Sequence, residues 1–309
     1  MDIKKQILKL QEVSQTLEPS PSTRKHQLEK VSEFVNKFIS ELPKTPAYSP
    51  EKENRKRLQL SNSSQSIEEL IKIYKEEVSA KGINPASGGH LGYIPGGGIY
   101  TSALADLMAA VTNDYVGRYY SSPGGVAIEH EILNWLKKIF NFPSSSVGNL
   151  TSGGSIANLI ALTAARDKHG IKNEKIPKSV IYLSPQVHHC IQKALRIIGL
   201  EDVIINYINL DTRFRIDTSD LEKKIKNDKE NGLNPYLVIA SAGTTDTGAI
   251  DPLTEIGNIV KKYNLWYHID AAYGGFFILV ENLKKSSRGL KWQIHWLLIP
   301  IKACSCPMV

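Results

Sequence analysis

Cysteine is scarce in this chain: three among 309 residues, Cys190, Cys304 and Cys306. An odd count without framework spacing argues against structural disulfides. Cys304-Ser305-Cys306 is too short for paired metal ligands and has no second pair, so no metal site is expected. Long apolar runs are also missing, and none reaches the roughly 18 residues of a membrane-spanning helix. The opening Met1-Asp2-Ile3-Lys4-Lys5 lacks the apolar core of a secretory signal, so a cytoplasmic location is expected. A concentrated basic patch is lacking too. The 38 Lys and Arg outnumber the 31 Asp and Glu to give a net charge of +7, but they are scattered and often lie near acidic residues on helical stretches. That pattern reads as a solvated surface rather than a nucleic-acid face.

What remains is enough for a sizeable core. A hydrophobic content of 41% over 309 residues fits one large or two modest domains. Near the N-terminus, Leu28, Val31, Phe34, Val35, Phe38 and Ile39 recur at helical spacing. Pro43, Pro46 and Pro50 then break the pattern. A second helix is predicted from about Ser66 to Ala80, opened by the capping-box sequence Ser66-Ile67-Glu68-Glu69. Asn84 to Gly98 is a loop rich in glycine and proline. Beyond it, helices are predicted over about 101–112 and 126–140, with a turn at Ser121-Ser122-Pro123-Gly124 between them.

From residue 180 the pattern alternates. Strands are predicted over 180–183, 203–205, 237–240 and 265–269, and helices over 191–198, 217–227 and 253–263. Such alternation argues for a three-layer α/β domain around a mainly parallel sheet. The expected domains are 1–82, helical; 83–292, the α/β domain; and 293–309, a tail of foreign character.

The residues with chemical potential lie at the ends of these elements. Asp270 closes the apolar run Leu265-Trp266-Tyr267-His268-Ile269, at the strand end where open α/β sheets bind ligands. A buried carboxylate needs a cationic or hydrogen-bonding partner. Ala271, Ala272 and Gly274 leave room for a flat ring, and a protonated ring nitrogen facing Asp270 is the environment of pyridoxal 5′-phosphate (PLP). Thr151-Ser152-Gly153-Gly154-Ser155 opens a helix running to about Ala165, where unpaired N–H groups and the helix dipole favour an anion. Locally, a simple N-cap by Ser152 or Ser155 fits as well. His188, in Ser184-Pro185-Gln186-Val187-His188-His189, and the turn from Ser241 to Pro252 follow further strand ends. For Asp251 a turn and helix-cap role is expected, and for Glu129 a place on a helix surface is as good a reading as a functional one.

Over about 28–289 this ordered set of motifs resembles the group II PLP-dependent amino-acid decarboxylases, which include aromatic-L-amino-acid, histidine, tyrosine and glutamate decarboxylases. The resemblance implies fold type I, with an incomplete α/β/α large domain preceded by helices that pack across a homodimer. It implies a carboxy-lyase acting on an amino acid. PLP phosphate would lie on Gly154 and Ser155, with His188 stacked on the ring, Thr245 and Ala272 beside it, and Asp270 at its nitrogen. Tyr93, Ile94, Pro95 and Gly96 would line the substrate pocket. Gly96 stands where some members carry a hydroxyl residue, which leaves the substrate open. Another PLP-dependent lyase, such as an aldolase or a sphingosine-phosphate lyase relative, would share these motifs.

The resemblance also implies a lysine that bonds the cofactor, and counting onward from Asp270 reaches Lys302. Its context, Ile299-Pro300-Ile301-Lys302, departs from the family's Asp-Pro-His-Lys. One codon choice for the tail resolves the difference. With a single G inserted after the Trp292 codon, the same bases read Trp-Ala-Asp-Ser-Leu-Ala-Ile-Asp-Pro-His-Lys-Gly-Leu-Phe-Leu-Pro-Tyr-Gly. The expectation is therefore a one-base deletion after Trp292, in the gene or as a sequencing error, and a truncated chain that is inactive or at most binds PLP weakly; a divergent natural C-terminus is the alternative.

Overall fold

The computed structural model describes residues 3–14, 17–50, 56–92, 94 and 96–280. Tyr93, Pro95, Lys302 and the whole of the 293–309 tail lie outside the described residues. The chain forms two compact units, Met1–Gly92 and Tyr93–Val309.

The first unit is helical. α1 spans Ile3–Ser14 and α2 spans Pro21–Glu41. Ser20 caps α2 by accepting from the Thr23 N–H, and Pro21 occupies the first turn, where its missing N–H costs nothing. The two-residue strands β1 (Tyr48–Ser49) and β2 (Gly82–Ile83) pair antiparallel. Between them α3 (Ile67–Ile73) starts as its capping box predicts, with Ser66 accepting from Glu69 N–H. It then widens into a π-helical turn, Tyr74–Ser79, instead of continuing as one α-helix to Ala80. Arg57 gathers Glu69, Glu76 and Glu77 there.

In the second unit α4 (Tyr100–Thr112) ends at Asn113, which adopts the left-handed conformation. α5 spans Pro123–Ile139. The turn predicted through Gly124 is therefore shorter, because Pro123 is already shaped for a first helical turn. α6 (Gly154–His169), β3 (Ser179–Leu183), α7 (Cys190–Ile197), β4 (Ile204–Tyr207), α8 (Thr218–Glu230), β5 (Asn234–Ser241), α9 (Leu253–Tyr263) and β6 (Trp266–Asp270) follow.

The four strands β3 to β6 make one parallel sheet in the order β4-β3-β5-β6. Alternate side chains leave a strand on opposite faces, and both faces are covered. Tyr182, Val238, Tyr267 and Ile269 pack on one side with Leu221 and Ile225 of α8 and Ile256 and Val260 of α9. Ile181, Leu237, Ile239 and Trp266 pack on the other with Leu162 of α6 and Ile191 and Leu195 of α7. Burial on both faces explains why these strands read as continuous apolar runs rather than alternating ones. This is the three-layer α/β/α arrangement expected of the alternating pattern.

Candidate active site

The carboxyl ends of β3, β5 and β6 carry the site. Asp270 closes β6 beside Ser241, its register partner on β5. Its Oδ1 accepts from the Ala272 N–H at 3.0 Å, and its Oδ2 accepts from Asn158 Nδ2 at 3.2 Å. The partner that a half-buried carboxylate requires is thus an amide on α6. Asn158 is itself buried, and its Nδ2 also approaches Cys190 Sγ at 3.3 Å. Its Oδ1 meets His268 Nε2 at 2.6 Å. His268 is wholly buried on the α6 face of β6, and burial holds its imidazole below the usual histidine range despite the opposing pull of Asp270.

One turn before Asn158, α6 begins without a side-chain cap. Gly153 takes the N-cap position at φ 148°, and neither Ser152 nor Ser155 fulfils the capping reading. That backbone angle suits glycine. Among the described residues, a Cβ on Gly153 would meet no atom within 4 Å, which leaves space in front of the helix. Gly154 is buried and Ser155 exposed at this opening. Asn158 lies four positions after Gly154, a rise of about 6 Å along the helix, so the uncapped helix start and the amide that holds Asp270 lie about one turn apart.

His188 is half-buried in the loop after β3, and its Nδ1 accepts from the Cys190 N–H at 3.2 Å. The acceptor role leaves the ring proton on Nε2 when the imidazole is neutral. Thr245 is exposed in the loop after β5. Its neighbours are tied down: Thr244 and Thr247 hydroxyls lie 2.7 Å apart, and Thr247 donates to Gln186 Oε1 at 3.0 Å. The His188 and Thr245 loops are joined through that bond.

Ala272 is half-buried with its N–H committed to Asp270. The backbone beyond it is crowded, since a Cβ on Gly274 would fall 2.1 Å from the Ala242 carbonyl oxygen. Ile94 is half-buried and Gly96 exposed in the segment before α4.

Four residues have roles that differ from the sequence reading or were absent from it. Asp251 does not cap α9, whose N-cap is Pro252. It is buried instead, accepting from Ile216 N–H at 2.8 Å and Ser241 N–H at 2.7 Å, and burial pushes it up to about 6. Glu129 of α5 accepts from the Leu150 N–H at 3.4 Å, ahead of the α6 opening. Asn158 and His268 went unnoticed as site residues. The available signal was polarity: an amide within an apolar helix face and an imidazole within a buried strand.

A fixed carboxylate at a strand end, an uncapped helix start one turn away and an imidazole on the loop after β3 thus lie at the carboxyl end of one α/β sheet. A family model described as the pyridoxal-dependent decarboxylase conserved domain matches residues 50–294. The chain belongs to this family, and its fold is fold type I.

It is 38% identical over 200 residues to the aromatic-L-amino-acid decarboxylase of Bacillus atrophaeus, covering 65% of this chain and 41% of that protein. It is 29% identical over 260 residues to tyrosine decarboxylase 2 of Narcissus pseudonarcissus, covering 80% and 52%. The crystal structure of Rhodiola rosea 4-hydroxyphenylacetaldehyde synthase superposes with a TM-score of 0.79 at 25% identity, over 88% of this chain and 62% of that one. The chain therefore spans about half the length of the curated relatives it matches. Among the described residues, no helix is long and apolar enough to cross a membrane.

Proposed function

We propose that the protein removes the α-carboxylate of an L-amino acid as a PLP-dependent carboxy-lyase, releasing the amine and carbon dioxide. The observation that carries this reading is the Asp270 carboxylate, held by Asn158 and the Ala272 N–H one helical turn from the uncapped start of α6. The residues fit the cofactor: a phosphate suits the open N–H groups of Gly154 and Ser155, and a ring N–H suits Asp270. PLP, when bound, supplies a conjugated ring that takes up the electron pair left as carbon dioxide departs.

In this reading Asp270 keeps a proton on the ring nitrogen. His188 covers one ring face, Ala272 allows close approach, and Thr245 offers a hydroxyl. Tyr93, Ile94, Pro95 and Gly96 border the amino-acid substrate, and Lys302 bonds the cofactor. The full protein is a cytoplasmic homodimer in this proposal. The family match stops at residue 294, two residues past Trp292, which supports a change of reading frame there.

A second reading has one observation in its favour. The chain is 30% identical over 229 residues to the 4-hydroxyphenylacetaldehyde synthase of Rhodiola rosea, named for an aldehyde product. Product analysis separates the two. The gene is expressed as it stands and with one base restored after the Trp292 codon, and each protein is given PLP with L-tyrosine, L-tryptophan, L-glutamate and L-histidine. The restored protein is expected to release amine and carbon dioxide in equal amounts from at least one of them. The 309-residue chain is expected to show only a cofactor absorbance band that Lys302→Ala abolishes. Aldehyde in place of amine would favour the synthase reading, and no cofactor uptake by either protein would defeat both.

A further inference from the structure

We infer that Asn158 and His268 are positioning residues for Asp270, forming a one-way chain of donors that aims its carboxylate at the cofactor's ring nitrogen. The inference rests on the PLP reading of the site and adds what holds the carboxylate in place.

The direction of the chain follows from which atoms can donate. A carboxylate only accepts, so the group of Asn158 facing Asp270 Oδ2 at 3.2 Å must be its NH2. The other end of the same amide is then the carbonyl, which only accepts, and it faces His268 Nε2 at 2.6 Å. His268 therefore carries its proton on Nε2 and donates. A flipped Asn158 would set its oxygen against the carboxylate and deprive its NH2 of the Asp270 acceptor. His268 is thus the residue that locks the amide, and the amide in turn locks the carboxylate. With Oδ1 held by the Ala272 N–H as well, both oxygens of Asp270 are anchored and the plane of the group is fixed.

The cost of this arrangement indicates its purpose. His268 is fully buried, and among the described residues its Nδ1 has no hydrogen-bond partner. An apolar side chain at this place in β6 would avoid leaving a buried nitrogen unsatisfied, which is destabilising. Trp266, on the same face of the strand, shows that the α6 side accepts large apolar groups. Core packing alone would favour such a residue over histidine.

The test loads the full 309-residue chain with PLP labelled with 15N in the ring, and records both affinity and the ring 15N resonance. The unaltered chain is expected to give a protonated-ring signal. Asn158→Leu removes one hydrogen bond to a charged group and is expected to weaken PLP binding about tenfold, with the resonance moving toward the unprotonated ring. His268→Leu should shift it the same way, and His268→Gln, whose amide can donate to Asn158 Oδ1, should retain the original signal. Since leucine suits a buried strand, the His268 pair decides the matter even where Asn158→Leu fails to fold. Folded, loaded His268→Leu with unchanged resonance would overturn the positioning role and leave the PLP reading intact. Failure of both the unaltered chain and the base-restored protein to take up PLP would overturn both.

Discussion

Asp251 shows how a single carboxylate can serve the frame around a site rather than the site itself. Its two oxygens receive the N–H groups of Ile216 and Ser241, yet loss of water dominates and raises it from 3.8 to about 6. A carboxyl group that titrates higher in the folded chain than in the unfolded one binds its proton more tightly when folded. Its contribution to stability is therefore greatest below about 4 and is lost as the pH rises through about 6. Asp251→Asn has no such titration. Urea unfolding of both proteins from pH 4 to pH 7 should show the unaltered chain losing stability relative to the variant, by on the order of 3 kcal/mol, with the difference flat above pH 7. A constant difference across the range would show that the two backbone N–H groups fully offset the burial. Sequence pattern had suggested a helix cap here, because Asp-Pro before a helix is a common start. The donors that actually claim Asp251 include one 35 residues away, and no local pattern records such a partner.

At the scale of elements, polar pairs fasten helices to a sheet whose apolar residues fix only its layers. Asp228 of α8 is buried and accepts from the Tyr182 hydroxyl of β3 at 2.7 Å and from Asn206 Nδ2 of β4 at 3.0 Å. Burial and the neighbouring carboxylate push Tyr182 far above the usual tyrosine range, so it remains a donor. Tyr182→Phe keeps the ring and leaves Asp228 one partner short. It is expected to cost about 1–3 kcal/mol in denaturant unfolding, and a loss within about 0.3 kcal/mol would mean that Asn206 alone satisfies the carboxylate. The layers themselves were legible. The strands over 180–183, 237–240 and 265–269 and the helix over 253–263 emerge from apolar period and breakers, because burial on both sheet faces demands continuous apolar runs. The ends were less so: β4 continues into Asn206 and Tyr207, since the pairing with β3 that extends it is not written in hydrophobicity. Asp270 stood out through its place at a strand end. Asn158 and His268 did not, because their pairing joins residues 110 apart.

For the molecule as a whole, the open question is what covers its apolar surface. In the second unit, Met108 and Val111 of α4 and Ile128 and Trp135 of α5 are exposed. Contiguous exposed apolar area favours association. Relatives are about twice as long as the stretch they share with this chain, and the proposed frame change after Trp292 would replace the family's continuation with the sequence from Gln293 to Val309. This length and the proposed frame change combine into one expectation. Restoring a single base after the Trp292 codon should yield a longer product that sediments as a discrete homodimer, whereas the 309-residue chain should bind a hydrophobic dye and form larger, polydisperse species. Sequencing the gene through that codon and several hundred bases beyond supplies the first half of the test. A downstream frame with no Asp-Pro-His-Lys would remove the frame-change proposal outright, and equal dye binding and sedimentation by the two products would show that the missing continuation does not cover α4 and α5.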